Sequence, residues 1–73
     1  MPIVFSDHAK FQFKKRRISQ KRIFETIKNP QEAIVSFKNR RLRQRQFGDK
    51  ILEVVTINEG SRITVITAYY LKK

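Results

Sequence analysis

Hydrophobic positions recur with two different periods along this 73-residue chain, and the change falls at Pro30. Before it, apolar residues sit three or four apart, as on one stripe of a helix. Ser6-Asp7 has the chemistry of a helix start: a serine hydroxyl accepts from an early backbone N–H, and an aspartate sits well at the positive end of the helix dipole. The spacing predicts a first helix over 7–17, with Ala9 and Phe13 on its stripe beside Gln12 or Arg16, and Phe11 to the side. Ser19 is a second N-cap, and Ile23, Phe24 and Ile27 are spaced for one buried face of a second helix. Asn29-Pro30 ends that helix, because a residue before proline avoids the α region.

After Pro30 the period is 2. Residues 33–37 read as a short strand. Over 41–47, Leu42, Gln44 and Gln46 alternate with Arg41, Arg43, Arg45 and Phe47. Gly48-Asp49 is a tight turn, since glycine reaches positive φ without steric cost. A β-branched strand follows over 51–58, then a turn at Asn58-Glu59-Gly60-Ser61, then a last strand over 62–71. Turns this short make neighbouring strands antiparallel. The expectation is an α+β domain: two N-terminal helices packed on one face of a four-stranded antiparallel sheet, with Ile3-Val4-Phe5 as a candidate short edge strand. Phe5, Phe11, Phe13, Phe24 and Phe37 are assigned to the core. Phe47 continues the arginine face and is weighed equally as core and as a surface for stacking. Tyr69 and Tyr70 point to opposite faces, one toward the core and one toward solvent.

The bulk numbers bound what this pattern can build. Residues 1–73 make one domain with 40% apolar residues, enough for a small core. A chain of this size buries only about 60% of the surface it exposes when unfolded. The absence of cysteine rules out disulfide staples and thiolate zinc sites and fits a reducing compartment. No apolar run approaches the roughly 20 residues of a membrane span. The opening MPIVFSD lacks a basic segment followed by an apolar one, so no signal peptide is expected and the location expected is cytoplasmic.

Charge changes the picture most. The net charge is +11, and 12 of the 17 basic residues fall in two acid-free runs. One holds Lys10, Lys14, Lys15, Arg16, Arg17, Lys21 and Arg22; the other holds Lys38, Arg40, Arg41, Arg43 and Arg45. Crowded like charges repel unless something negative offsets them. A nucleic acid is the usual polyanion, an acidic protein the second choice. An anionic membrane is disfavoured, because neither helix pairs a basic face with a broad apolar one. On the 41–47 strand, Arg41, Arg43 and Arg45 can act as a charged guard of a solvated strand edge. They can also form a comb with a repeat of roughly 6.6–6.8 Å, near the spacing of successive phosphates.

The order SDHA, then Arg16 and Ile18-Ser19, then Asn29-Pro30, then VITAYY at the end, resembles the domain of unknown function 4258, related to the BrnT and RelE-like toxins of bacterial toxin–antitoxin modules. His8-Ala9, Arg16 and Ile18-Ser19 match that family's opening motif. Arg17 stands where the family usually has glycine, and Gln12 where it often has arginine. The resemblance implies a RelE-like fold and an endoribonuclease toxin held inactive by an antitoxin.

Elimination narrows the chemistry. One histidine and no cysteine leave no common zinc site, and the six acids show no D-x-D pair for a two-metal nuclease. There is no glycine-rich phosphate loop. What remains is metal-independent cleavage, with no cofactor, by attack of the RNA 2′-hydroxyl on the adjacent phosphorus. That step needs a proton acceptor, cations for the developing phosphorane, and a proton for the leaving oxygen. The residues expected to act are His8 as acid or base, Arg16 and Arg43 on the phosphate, and Tyr70 assisting. Lys14, Lys15, Arg17, Arg41, Arg45 and Phe47 are expected to bind nucleic acid. RNA and an acidic antitoxin are the expected partners. A non-catalytic RNA- or DNA-binding module, and a domain docking an acidic protein, are the rivals. The sequence leaves monomer and homodimer equally open.

Overall fold

The computed structural model describes residues 2–72. The elements run β1 (Ile3–Phe5), α1 (Asp7–Arg16), α2 (Gln20–Lys28), β2 (Glu32–Val35), β3 (Arg40–Phe47), β4 (Lys50–Glu59) and β5 (Arg62–Lys72), with a single 3₁₀ turn at Phe37–Asn39. The two serines start the helices as their chemistry predicts: Ser6 Oγ accepts from the Ala9 amide and Ser19 Oγ from the Arg22 amide. α1 ends at Arg17, which takes the left-handed conformation at φ 55°. α2 ends at Asn29, whose amide donates to the Glu25 carbonyl, one residue before Pro30.

The α+β class holds, and the sheet is larger than the sequence predicts. It has five strands in the order β1-β5-β4-β3-β2. β2 to β5 form the expected antiparallel meander, while β1 joins the outer side of β5 in parallel, Ile3 opposite Ile63 and Phe5 opposite Val65. The sheet is therefore mixed. The two-residue turns Gly48-Asp49 and Gly60-Ser61 close the Phe47–Lys50 and Glu59–Arg62 pairs. Each puts a glycine at positive φ, 65° and 61°, in the place a type II′ turn reserves for it. The first meander strand stops at Val35 instead of Phe37. Residues 37–39 are spent on the reversal that lets Ser36 donate to the Arg40 carbonyl, with Lys38 and Asn39 both left-handed.

Both helices cover one sheet face. Ala9 and Phe13 from α1, and Ile23 and Ile27 from α2, bury against Leu52, Val54, Ile63, Val65 and Ala68. Phe5 meets Phe13 edge-on at 5.3 Å between ring centroids and Phe24 at 5.5 Å. Phe11 and Phe37 are not core: they are 62% and 77% exposed. Phe11 lies off the Ala9–Phe13 stripe, and Phe37 lies past the end of β2 where no layer covers it.

Candidate functional site

Alternation along β3 puts Arg41, Arg43, Arg45 and Phe47 on one face, and the register shows which. Arg43 pairs with Val54 and Arg45 with Leu52, both fully buried under the helices. The arginines therefore point to the helix side, around the C-terminal end of α2. Arg43 donates to the Ile27 carbonyl at 2.9 Å, and Arg45 to the Asn29 carbonyl at 2.8 Å. Carbonyls at a helix C-terminus have no intrahelical donor, and cations suit that end of the dipole. Arg41 stays exposed; the partial burial of Arg43, and after it the charge of Arg41, push the Arg43 guanidinium pKa down.

Tyr70 is the meeting point of a second group. It is on the helix side of β5, opposite Leu52. Its hydroxyl accepts from Arg22 Nη1 at 2.9 Å, and Lys50 Nζ sits 5.5 Å from the ring centroid. Arg22 also lies over Phe47 at 5.0 Å, with Arg45 6.0 Å from the same ring. Three cations thus surround two half-buried aromatic rings at the end of the sheet closed by the Gly48-Asp49 turn. Such contacts strengthen as water is excluded from them.

Arg16 does something else. It donates to the Ala68 carbonyl at 2.9 Å and lies 3.5 Å from Thr67 Oγ1, on the side of β5 facing away from β4. Arg43, Val54 and Ala68 form one cross-strand row, so two buried side chains stand between Arg43 and the strand edge that Arg16 holds. His8 is exposed in the first turn of α1. Ser6, two residues earlier, donates its amide to the Val65 carbonyl, five residues along β5 from Tyr70, roughly 17 Å of strand. The structure therefore brings together Tyr70, Arg45 and Phe47 among the expected residues. It does not bring His8, Arg16 and Arg43 to a common point. Lys14, Lys15 and Arg17 are exposed at the C-terminal end of α1, and Lys14 lines a 350 Å³ groove between the helices with Lys10, Phe13, Ile18 and Gln20.

Sequence reasoning missed Arg22 and Lys50. Lys50 was legible, since a two-residue turn at Gly48-Asp49 pairs it with Phe47. Arg22 was not, because nothing local says that α2 crosses the sheet above Tyr70. It also missed Glu53 on the face without helices. There Gln44, Glu53 and Tyr69 form one cross-strand row: Gln44 Nε2 donates to Glu53 Oε1 at 2.6 Å and the Tyr69 hydroxyl donates to Glu53 Oε2. Glu53 is 6% exposed, and this row satisfies its carboxylate. Tyr69 and Tyr70 do take opposite faces, yet both are half-buried.

Fold and site together define a small two-layer α+β domain with a cationic, aromatic-bearing wall at one end of its sheet. The family described as a domain of unknown function (DUF4258) matches residues 5–70, and the chain belongs to it. No curated protein and no solved structure matches the chain. No helix among the described residues is long and apolar enough to cross a membrane.

Proposed function

We propose that the protein binds single-stranded RNA across the wall formed by Arg22, Arg45, Lys50, Phe47 and Tyr70. One observation carries this reading. The hydrogen bonds of Arg16, Arg22, Arg43 and Arg45 go to neutral oxygens, three carbonyls and one phenol among their acceptors, and none to a carboxylate. Their orientation is fixed while their charge is left uncompensated, in a chain of net charge +11. Guanidinium groups held in place beside aromatic rings suit a phosphate strand with unstacked bases. RNA, rather than DNA, follows from the resemblance to ribonuclease toxins. Anisotropy titrations of a labelled RNA 12-mer against salt test it. Arg22→Ala and Lys50→Ala should each weaken binding and lower the log–log salt slope by roughly 0.7, the value for one phosphate contact on a single strand. Slopes equal to the parent's in both variants would remove the wall from the interface.

A second reading, the metal-independent endoribonuclease toxin neutralised by an acidic antitoxin, is favoured by the Tyr70 hydroxyl. It accepts from Arg22, so its own proton is left for another acceptor, the need of a leaving 5′-oxygen. Here solvent water takes the proton of the attacking 2′-hydroxyl, Tyr70 donates its own to the leaving 5′-oxygen, Arg22 and Lys50 hold the phosphate in place of Arg16 and Arg43, and His8 takes no part because it lies outside the wall. RNA incubated with the protein in EDTA decides between the two: cleavage that Tyr70→Phe abolishes and His8→Ala leaves intact supports this reading, and intact RNA leaves binding alone.

A further inference from the structure

The two edges of the sheet are finished differently. On the β1 side, β1 pairs with β5 up to Val65, and beyond it Arg16 occupies the Ala68 carbonyl. β1 is itself an edge strand of only three residues, and on the other side the four-residue β2 likewise has a partner on one flank only. Ser36 donates to the Arg40 carbonyl at 2.6 Å, so alternate residues Ile34 and Glu32 face β3, and the amides and carbonyls of Ala33 and Val35 point outward. Natural edge strands are guarded by lysine, proline or a bulge. In a chain with 17 basic residues, Gln31 to Phe37 carries none, and no proline; its one charge is the exposed Glu32, at the end of β2 remote from Lys38, Arg40 and Arg41. Instead it exposes apolar groups: Ile34 is 46%, Val35 74% and Phe37 77% exposed. A 210 Å³ depression lies beside them, lined by Ala33, Ile34, Val35 and Arg41.

We infer that β2 is the docking edge for an extended, acidic segment of another protein, which adds a sixth strand to the sheet. Backbone pairing to Ala33 and Val35 supplies the ladder, and Ile34, Val35 and Phe37 supply apolar contacts. Charge decides the occupant. Lys38, Arg40 and Arg41 stand exposed at the loop end of β2, and Lys38 Nζ lies 5.5 Å from the Phe37 ring centroid. A second copy pairing edge to edge would bring these cations together on two bodies of net charge +11 each, whereas an acidic strand neutralises them. The edge is separate from the RNA wall, so this inference stands whether or not RNA binds.

The probe is an acetylated, amidated heptapeptide of alternating Glu and Val, titrated by calorimetry at about 0.15 M salt, where surface charges are screened beyond about 8 Å. The full-length protein should bind it. The same peptide N-methylated at alternate amides, with its charge unchanged, should bind at least about tenfold more weakly, the loss of two or more backbone hydrogen bonds. Val35→Pro removes an amide that points outward, so β2 should still pair with β3 and the melting temperature should hold. Binding should fall by a similar factor, while RNA affinity is unchanged. Val35→Glu, a charged edge guard that keeps the amide and repels the acidic peptide, is the companion variant and should also block the peptide. No binding, equal binding of the N-methylated peptide, or parent-like affinity in both variants overturns the inference. So does concentration-dependent dimerisation that Val35→Glu abolishes, since the edge would then belong to a second copy.

Discussion

Replacing Arg17 by glycine should make the protein more stable. α1 closes with a paired arrangement in which the Ile18 amide donates to the Phe13 carbonyl at 3.0 Å and the Arg17 amide to the Lys14 carbonyl at 3.4 Å. This is a Schellman ending, with Arg17 in the left-handed position and the buried Ile18 and Phe13 as its apolar pair. The left-handed conformation costs an L-residue roughly 1–2 kcal/mol, while glycine has more backbone freedom to lose on folding, roughly 0.5–1 kcal/mol. Taking the middle of each range, the net gain for Arg17→Gly is about 0.75 kcal/mol, or about 3–6 °C in Tm for a domain of this size. Removing a cation from beside Arg16 and Lys15 also relieves repulsion, so Arg17→Ala is the control: it loses the charge and keeps the strained backbone. Differential scanning calorimetry at low and high salt separates the two, because the backbone gain survives screening and the charge gain does not. If Arg17→Ala rises as far as Arg17→Gly, the gain is electrostatic. If Arg17→Gly melts at or below the parent, the Schellman argument is wrong. A strained residue persists where its side chain has a use. The same Arg17→Gly protein should therefore show a salt slope on RNA lower by roughly 0.7 if Arg17 meets a phosphate.

Arg43→Ala should destabilise by about 1–3 kcal/mol in urea melts, because the Ile27 carbonyl loses its donor in a half-buried place; a loss under about 0.3 kcal/mol would mean that water replaces it without cost. Tyr69 predicts an alkaline limit. Its hydrogen bond to Glu53, then burial, then the Glu53 charge raise its pKa from 10 to about 12, against a smaller opposing effect of Arg16. A folded-state pKa above the unfolded one means stability that is complete below pH 10 and is lost as pH climbs through 12. Tyr69→Phe should start less stable at pH 8 and lose less between pH 10 and 12, as followed by circular dichroism; parallel profiles for parent and variant would contradict the assignment.

Much of the fold was legible because local chemistry and tertiary structure agree. Ser6 and Ser19 cap both helices, Pro30 ends the second, and Gly48 and Gly60 reverse the chain at the predicted turns. The misses lie where one local pattern is compatible with two outcomes. Phe37 continues the alternation of Ile34 and Val35, so it reads as strand. The β2–β3 reversal has no glycine to announce it, and Lys38 and Asn39 adopt positive φ without the usual residue type. Ile3 to Phe5 are strand-like from sequence, but a parallel partner 60 residues away is a long-range choice that no short-range signal encodes.

The site shows a sharper limit. Alternation correctly put Arg41, Arg43, Arg45 and Phe47 on one face, and that pattern suggested a comb open to phosphates. Which face the helices cover is not written in β3 itself; it is set by Leu52 and Val54, whose burial draws α2 across the sheet. α2 has nine residues and β3 eight, so at about 1.5 Å and 3.3 Å per residue the helix is roughly half the strand's length. It therefore stops above the strand and leaves its last carbonyls over Arg43 and Arg45. Two teeth of the comb become helix-end donors. The cations reaching Phe47 and Tyr70 from elsewhere, Arg22 and Lys50, are the ones left facing outward. A strand pattern tells which side chains share a face. What they meet there depends on where a neighbouring element ends, and that is fixed only when the core is packed.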